Sequence, residues 1–341
     1  MNGMPLNFKR TQEVPPQFCI FGKLPRRADF VRVNATHPAA MQLDQLLAQS
    51  LQRLEFTEEA TRDYLAMPPT SFVLQSRDHN WLSLGVIQPS RDEGGRNYPL
   101  VAASLVAVDP ALPSTAILLL ANELFFTGLK EQLSSAIENS VEMLACKQFL
   151  EEQLRFGASS VADIDLAQQL LEKHLSVTTA DVLSRSLSAA GRGDLESVLL
   201  AFVFHHRLLK KFRDSLPVQA YALPLPAVEG DNVLAAVTWL ALYHAATDNG
   251  AALEQCLIVR RPEGHFLVLL PAGLNEQIAS QCWGAPLDSK HVVDIDDVKA
   301  PWRNHQSYAE AAYVLGRQLN DPGLSLAQLR TVLSSLARNI A

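Results

Sequence analysis

The chain is poor in cysteine. Its 341 residues hold four, Cys19, Cys146, Cys256 and Cys282, and no two form a CxxC pair. That scatter argues against a zinc site and against a disulfide framework. Long apolar runs are also lacking. The longest, 233–246 and 115–129, are short and broken by polar residues, so they read as core helices and not as membrane spans. The first residues, MNGMPLNFKRTQEVPPQ, contain no apolar stretch of the secretory kind. A soluble protein of a reducing compartment is expected, with neither metal nor cofactor and no membrane insertion.

Signature motifs for nucleotide and hydrolase chemistry are missing as well. Gly22-Lys23 does not open a P-loop, because Gln17 stands where the first glycine belongs and Leu24 where a hydroxyl must hold magnesium. Gly191-Arg192-Gly193 does not complete a dinucleotide fingerprint, since Glu196 takes the place of the last glycine. Neither GxSxG nor HExxH occurs. Asp294, Asp296 and Asp297 have the spacing of hard-cation ligands, but no glycine turn or distal glutamate completes the loop. His205 and His206 are adjacent and would point about 100° apart on a helix, so they do not share a metal simply.

What is present is normal globular usage: 48% apolar and 19% charged residues, with a net charge of -7. The charge is uneven. Residues 1–36 carry Lys9, Arg10, Lys23, Arg26, Arg27 and Arg32 against Glu13 and Asp29, whereas 111–341 carry 18 basic and 25 acidic residues. A patch this small is no nucleic-acid footprint. It fits an acidic or phosphorylated protein partner, or a solvated edge.

Periodicity divides the chain into a flexible tail at 1–16, a sheet-containing region at 17–112, a helical region at 113–215 and a C-terminal α/β region at 216–341. The expected strands are 17–22, TSFVLQS, NWLSLGVIQPS, NYPLVAASLVAV, PVQAYALPLP and the two halves of CLIVRRPEGHFLVLL. The paired glycines Gly94 and Gly95 mark one hairpin and Pro262-Glu263-Gly264 another. Helices are expected at 39–55, 58–66, 114–137, 139–156, 162–174, 179–189, 194–214, 232–247, 274–282, 305–319 and 325–338. The fold class is α/β: a mainly antiparallel sheet flanked by helices, carrying a large helical insertion.

The stretch QFCIFGKLPRRADFVR is the most distinctive in the chain. Pro25 stops the strand and stiffens the following bend, from which Lys23, Arg26, Arg27 and Arg32 project around Asp29. Surrounding cations would depress the pKa of Asp29 and make it a poor general base, so its expected work is to hold an arginine by charge-assisted hydrogen bonds.

Two motifs in series carry a resemblance. Phe21-Gly22-Lys23-Leu24-Pro25, Arg27 and Asp29-Phe30-Val31-Arg32, followed by Gly95-Arg96-Asn97-Tyr98-Pro99-Leu100, resemble the type VI secretion-associated TagF (ImpM) family. Neither motif alone is specific; together, in order and spacing, they are, over about 17–110. Ala28 departs from the family's usual glycine, and CLIVRRPEGHFLVLL replaces a tryptophan-rich strand.

The resemblance implies a cytoplasmic accessory protein that is not an enzyme: a post-translational regulator, mostly a repressor, of type VI secretion, acting with a forkhead-associated (FHA) scaffold protein. Gly22, Pro25, Asp29, Phe30, Gly95, Tyr98 and Pro99 would build the motif; Lys23, Arg26, Arg27, Arg32 and Arg96 would meet the partner. Two readings of Asp29 and Arg96 stay open: a preorganised docking surface, or an internal pair that holds the hairpin to the loop. A structural part of the secretion apparatus and a hydrolase using Lys23, Asp29 and Arg96 are the competing functions.

Overall fold

The computed structural model describes residues 17–139, 143–155, 160–191, 193–212, 216–226, 229–247, 253–284 and 290–340. The expected tail at 1–16 and the break at 157–159 lie outside them.

Eight strands form one sheet: β1 (Phe18–Gly22), β2 (Val31–Val33), β3 (Thr70–Gln75), β4 (Trp81–Gln88), β5 (Leu100–Ala107), β6 (Tyr221–Leu225), β7 (Cys256–Arg261) and β8 (Gly264–Leu269). Their order is β2-β1-β5-β4-β3-β7-β8-β6, and every neighbouring pair is antiparallel. The strands of the first and last regions therefore share one sheet, joined where β3 meets β7 with Phe72 opposite Leu257.

Side chains alternate across the pleat, so successive residues of β5 enter opposite cores. Leu100 and Ala102 join one apolar cluster, and Val101 and Ala103 the other. The first core is the larger. It is closed by α3 (Thr115–Ala121), α4 (Glu123–Glu138), α5 (Met143–Arg155), α6 (Val161–Val177), α7 (Asp181–Ala190), α8 (Leu195–Phe212), α9 (Glu229–Thr247), α11 (Tyr308–Leu319) and α12 (Leu326–Asn339). The second is closed by α1 (Pro38–Leu51), α2 (Glu58–Ala66) and α10 (Glu276–Cys282). The helical region thus covers one face of the sheet. Burial of this area supplies the main folding drive, at roughly 25 cal/mol per Å² of apolar surface.

Local chemistry sets the helix starts. Thr57 accepts the Ala60 N–H, and Ser160 with Asp163 and Ser325 with Gln328 form reciprocal capping boxes. Asp194 accepts the Ser197 N–H at 2.8 Å. The expected helix 114–137 is two helices, α3 and α4, meeting at Asn122; its amide donates to the Leu118 carbonyl at 2.8 Å, which competes with helix continuation.

The histidines of α8 are explained by the 100° step between neighbours. His205 reaches the sheet, where its Nδ1 lies 2.9 Å from the Tyr221 hydroxyl; His206 reaches α9, 3.2 Å from the Tyr243 hydroxyl. Burial lowers the pKa of each to about 4, helped at His205 by the charge of His206 and at His206 by Lys210 and Arg207. All four cysteines are buried free thiols, and burial pushes the Cys19 thiol up to about 12.

A histidine whose pKa is depressed on folding stabilises the fold fully above its unfolded value of about 6.5 and loses that contribution as pH falls towards 4. The melting temperature is expected to drop by on the order of 5 °C or more across that window. His206→Gln should make the drop markedly smaller. An equal drop in the variant would show that the loss of stability comes from other groups.

A basic loop locked to a hairpin

The two motifs meet in space. β1 runs out at Gly22, whose φ of +134° is open to glycine, and a Cβ there would stand 2.1 Å from the Pro99 carbonyl oxygen. Gly22 is needed so that the strand end can lie against the start of β5. The chain then turns, with the Arg27 N–H donating to the Leu24 carbonyl at 3.0 Å. Opposite it, the hairpin between β4 and β5 closes through a bridge of Arg91 to Asn97 and a turn in which the Gly95 N–H donates to the Asp92 carbonyl. Gly95 takes φ +79°, as that turn requires.

Asp92 is the centre of the site. Its side chain is fully buried, and its Oδ2 accepts from Lys23 Nζ at 2.8 Å and from Arg96 Nε at 2.6 Å. Its Oδ1 accepts the Arg96 backbone N–H at 2.8 Å. The Lys23 hydrogen bond, reinforced by the Arg96 N–H groups, holds the carboxyl well below the usual carboxylate range, against the opposite push of burial. Three more contacts tie loop to hairpin: Ser90 Oγ donates to the Lys23 carbonyl at 2.8 Å, the Glu93 N–H to the Arg27 carbonyl at 3.1 Å, and an Arg96 terminal nitrogen to the Ala28 carbonyl at 3.2 Å.

This corrects the expected role of Asp29. Arg96 does hold the hairpin to the loop, but its carboxylate is Asp92. Asp29 is exposed, and among the described residues it forms no ion pair with Arg26, Arg32 or Arg96. The reason is desolvation: Asp92 is buried and its charge must be compensated, whereas water solvates Asp29. Lys23, expected at the docking surface, is instead only 14% exposed and engaged by Asp92. The signal for Asp92 was its place four residues before Arg96, across a tight Gly-Gly turn.

The remaining motif residues fall into two groups. Phe30 packs edge-on against Tyr98, with ring centroids 5.1 Å apart. Tyr98 is buried, and its hydroxyl donates to the Asp44 carboxylate, which fastens the hairpin to α1. Pro99 leads directly into β5. Arg26, Arg27 and Arg32 are exposed, as are Arg91 and Arg96; the Arg32 guanidinium lies 4.8 Å from the Phe30 ring centroid. Loop, hairpin and β2 thus present arginines from a braced corner at the sheet's edge.

Elsewhere, no group of three or more metal-ligating side chains is placed to hold an ion among the described residues. Asp294 and Asp297 cap local turns through the N–H groups of Asp296 and Lys299. A groove of about 580 Å³ lies away from the basic corner, lined by Ile117, Leu171, Glu172, His244, Arg330 and Arg338 among others.

Comparison with known proteins places the corner in context. Residues 19–153 match the family model of the TagF N-terminal domain, type VI secretion system-associated. The match runs through β1–β5 and on to α5, further than the two motifs reach. The crystal structure of PA0076 from Pseudomonas aeruginosa PAO1 is similar at 24% identity over 39% of this chain and 62% of that one, with a TM-score of 0.32. The likeness therefore spans less than two thirds of that protein. No curated protein matches the chain.

Asp92→Asn is expected to lower the melting temperature clearly at neutral pH, because Lys23, only 14% exposed, loses its counter-charge and Arg96 loses the carboxylate that anchors it. Asp29→Ala should leave it unchanged. A carboxyl held low on folding contributes above its unfolded pKa and loses that contribution only as pH falls well below 4, so the gap between wild type and Asp92→Asn should close in strong acid. Equal melting curves for wild type and Asp92→Asn would contradict the assignment.

Proposed function

We propose that this protein, which carries a TagF N-terminal domain over residues 19–153 and is type VI secretion-associated, restrains that secretion system without catalysing a reaction. It acts in the cytoplasm by binding an FHA-type scaffold component through the basic corner. The observation that carries this reading is the fixed presentation of arginines by the Lys23–Asp92–Arg96 lock. A rigid surface binds with less loss of conformational entropy than a floppy one.

The same lock counts against acid–base chemistry here. Asp92 is held ionised by its cations, so it is no general acid or base near neutral pH, and the Lys23 ammonium is engaged by Asp92. No helix among the described residues is long and apolar enough to cross a membrane.

The test is a pull-down of the FHA protein encoded with the same secretion system. Reversal of charge at Arg26, Arg27 and Arg32 together is expected to abolish capture while circular dichroism stays native, because all three are exposed and outside the lock. Undiminished capture by the triple variant would overturn the reading.

A further inference from the structure

The lock is not electrically neutral. Asp92 contributes one negative charge, and Lys23 and Arg96 contribute two positive ones. The surplus resides on the member that faces water: the Arg96 side chain is 69% exposed and that of Lys23 14%. The guanidinium of Arg96 is also fixed at two points, by Asp92 at Nε and by the Ala28 carbonyl at one terminal nitrogen. A guanidinium has five N–H donors in a rigid fork, so donors remain free after both bonds are made. Arg96 therefore shows solvent an oriented, partly unsatisfied cation whose rotamer freedom is already restricted.

Its neighbours extend the field. Segments 23–32 and 91–96 hold six cations, Lys23, Arg26, Arg27, Arg32, Arg91 and Arg96, against three carboxylates, Asp29, Asp92 and Glu93. Among the described residues, Arg26, Arg27, Arg32 and Arg91 have no carboxylate partner, and the rest of the chain is acidic. These arginines spring from three backbone segments: the turn after β1, the edge strand β2 and the β4–β5 hairpin. Because they stand on three separate segments, a ligand that carries several carboxylates along one extended chain can engage them singly.

We propose that the corner receives an extended acidic segment of the partner protein, rich in Asp and Glu, and that Arg96 is the contact that orients it. This rests on the docking reading above and names the chemistry of its ligand. Each guanidinium of the corner would take one carboxylate of such a segment. Charge-assisted pairs of this kind steer encounter and select register, and their strength falls with salt.

The experiment is fluorescence anisotropy of the full chain with a labelled hexa-aspartate peptide, an uncharged Gly-Ser peptide and a single-stranded oligonucleotide of equal charge. The hexa-aspartate peptide should bind, with affinity falling as salt rises, and the other two should bind more weakly. Arg96→Lys keeps the charge but loses the fork, and should weaken binding about tenfold, the equivalent of one charge-assisted hydrogen bond. Arg26→Glu with Arg27→Glu, outside the lock, should abolish binding with an unchanged melting temperature, so a folding defect in the Arg96 variant would not shelter the idea.

Absence of peptide binding, wild-type affinity in Arg26→Glu/Arg27→Glu, or equal affinity for the oligonucleotide would each overturn the proposal. If the peptide fails while charge reversal still abolishes capture of the FHA protein, the docking reading stands and the acidic-segment chemistry alone is lost. If charge reversal leaves capture intact, both are lost.

Discussion

One buried carboxylate organises the basic corner of this molecule. Asp92 sits with no exposed side-chain surface between an ammonium from the end of β1 and a guanidinium from its own hairpin. An isolated charge in that position would be strongly unfavourable, so removal of either cation leaves a cost that the rest of the corner must bear. The requirement works in both directions. Lys23 can reach Asp92 only if β1 ends against β5, which the missing side chain of Gly22 permits. Arg96 can reach it only if the turn closes tightly, which Gly95 permits.

The consequence runs from packing to function. The first core holds β1 and β5 as neighbours in a sheet backed by α3–α9, α11 and α12, so the strand ends that carry the lock are themselves rigid. On the other face, Tyr98 ties the hairpin to α1 and meets Phe30 of the loop. The basic corner is therefore braced from inside by charge and from below by aromatic contact. Function, on this account, lies in the members that the lock leaves over: the outward N–H groups of Arg96 and the flanking arginines. Charge that is spent inside the fold cannot bind a partner, which is why Lys23 is better understood as a brace than as a contact.

Much of the fold was legible from local patterns. The boundaries of α2 follow from Thr57 and two acidic residues, and the β7–β8 hairpin from two apolar runs around Pro262-Glu263-Gly264. The meeting of the motifs was also expected, through an acid–guanidinium pair, although the acid is Asp92 and not Asp29. Two things were hidden. The pairing of β3 with β7 joins residues far apart in sequence, and neither strand's pattern names its partner. The choice of Asp92 over Asp29 depends on which carboxylate loses its water, and burial is a property of the finished fold; both residues are flanked by basic side chains in sequence, and only one is inside. β2 escaped notice for a related reason: three residues at a sheet edge carry too short a pattern to register.

The central claim is that the loop and the hairpin are one unit because Asp92 joins them. Native-state hydrogen exchange on the Asp92→Asn variant tests it most directly. The account predicts that amides of 24–30 and of 92–97 lose protection together, while the centres of β4 and β5 keep theirs. Loss confined to the hairpin, with the loop as protected as in the wild type, would contradict it.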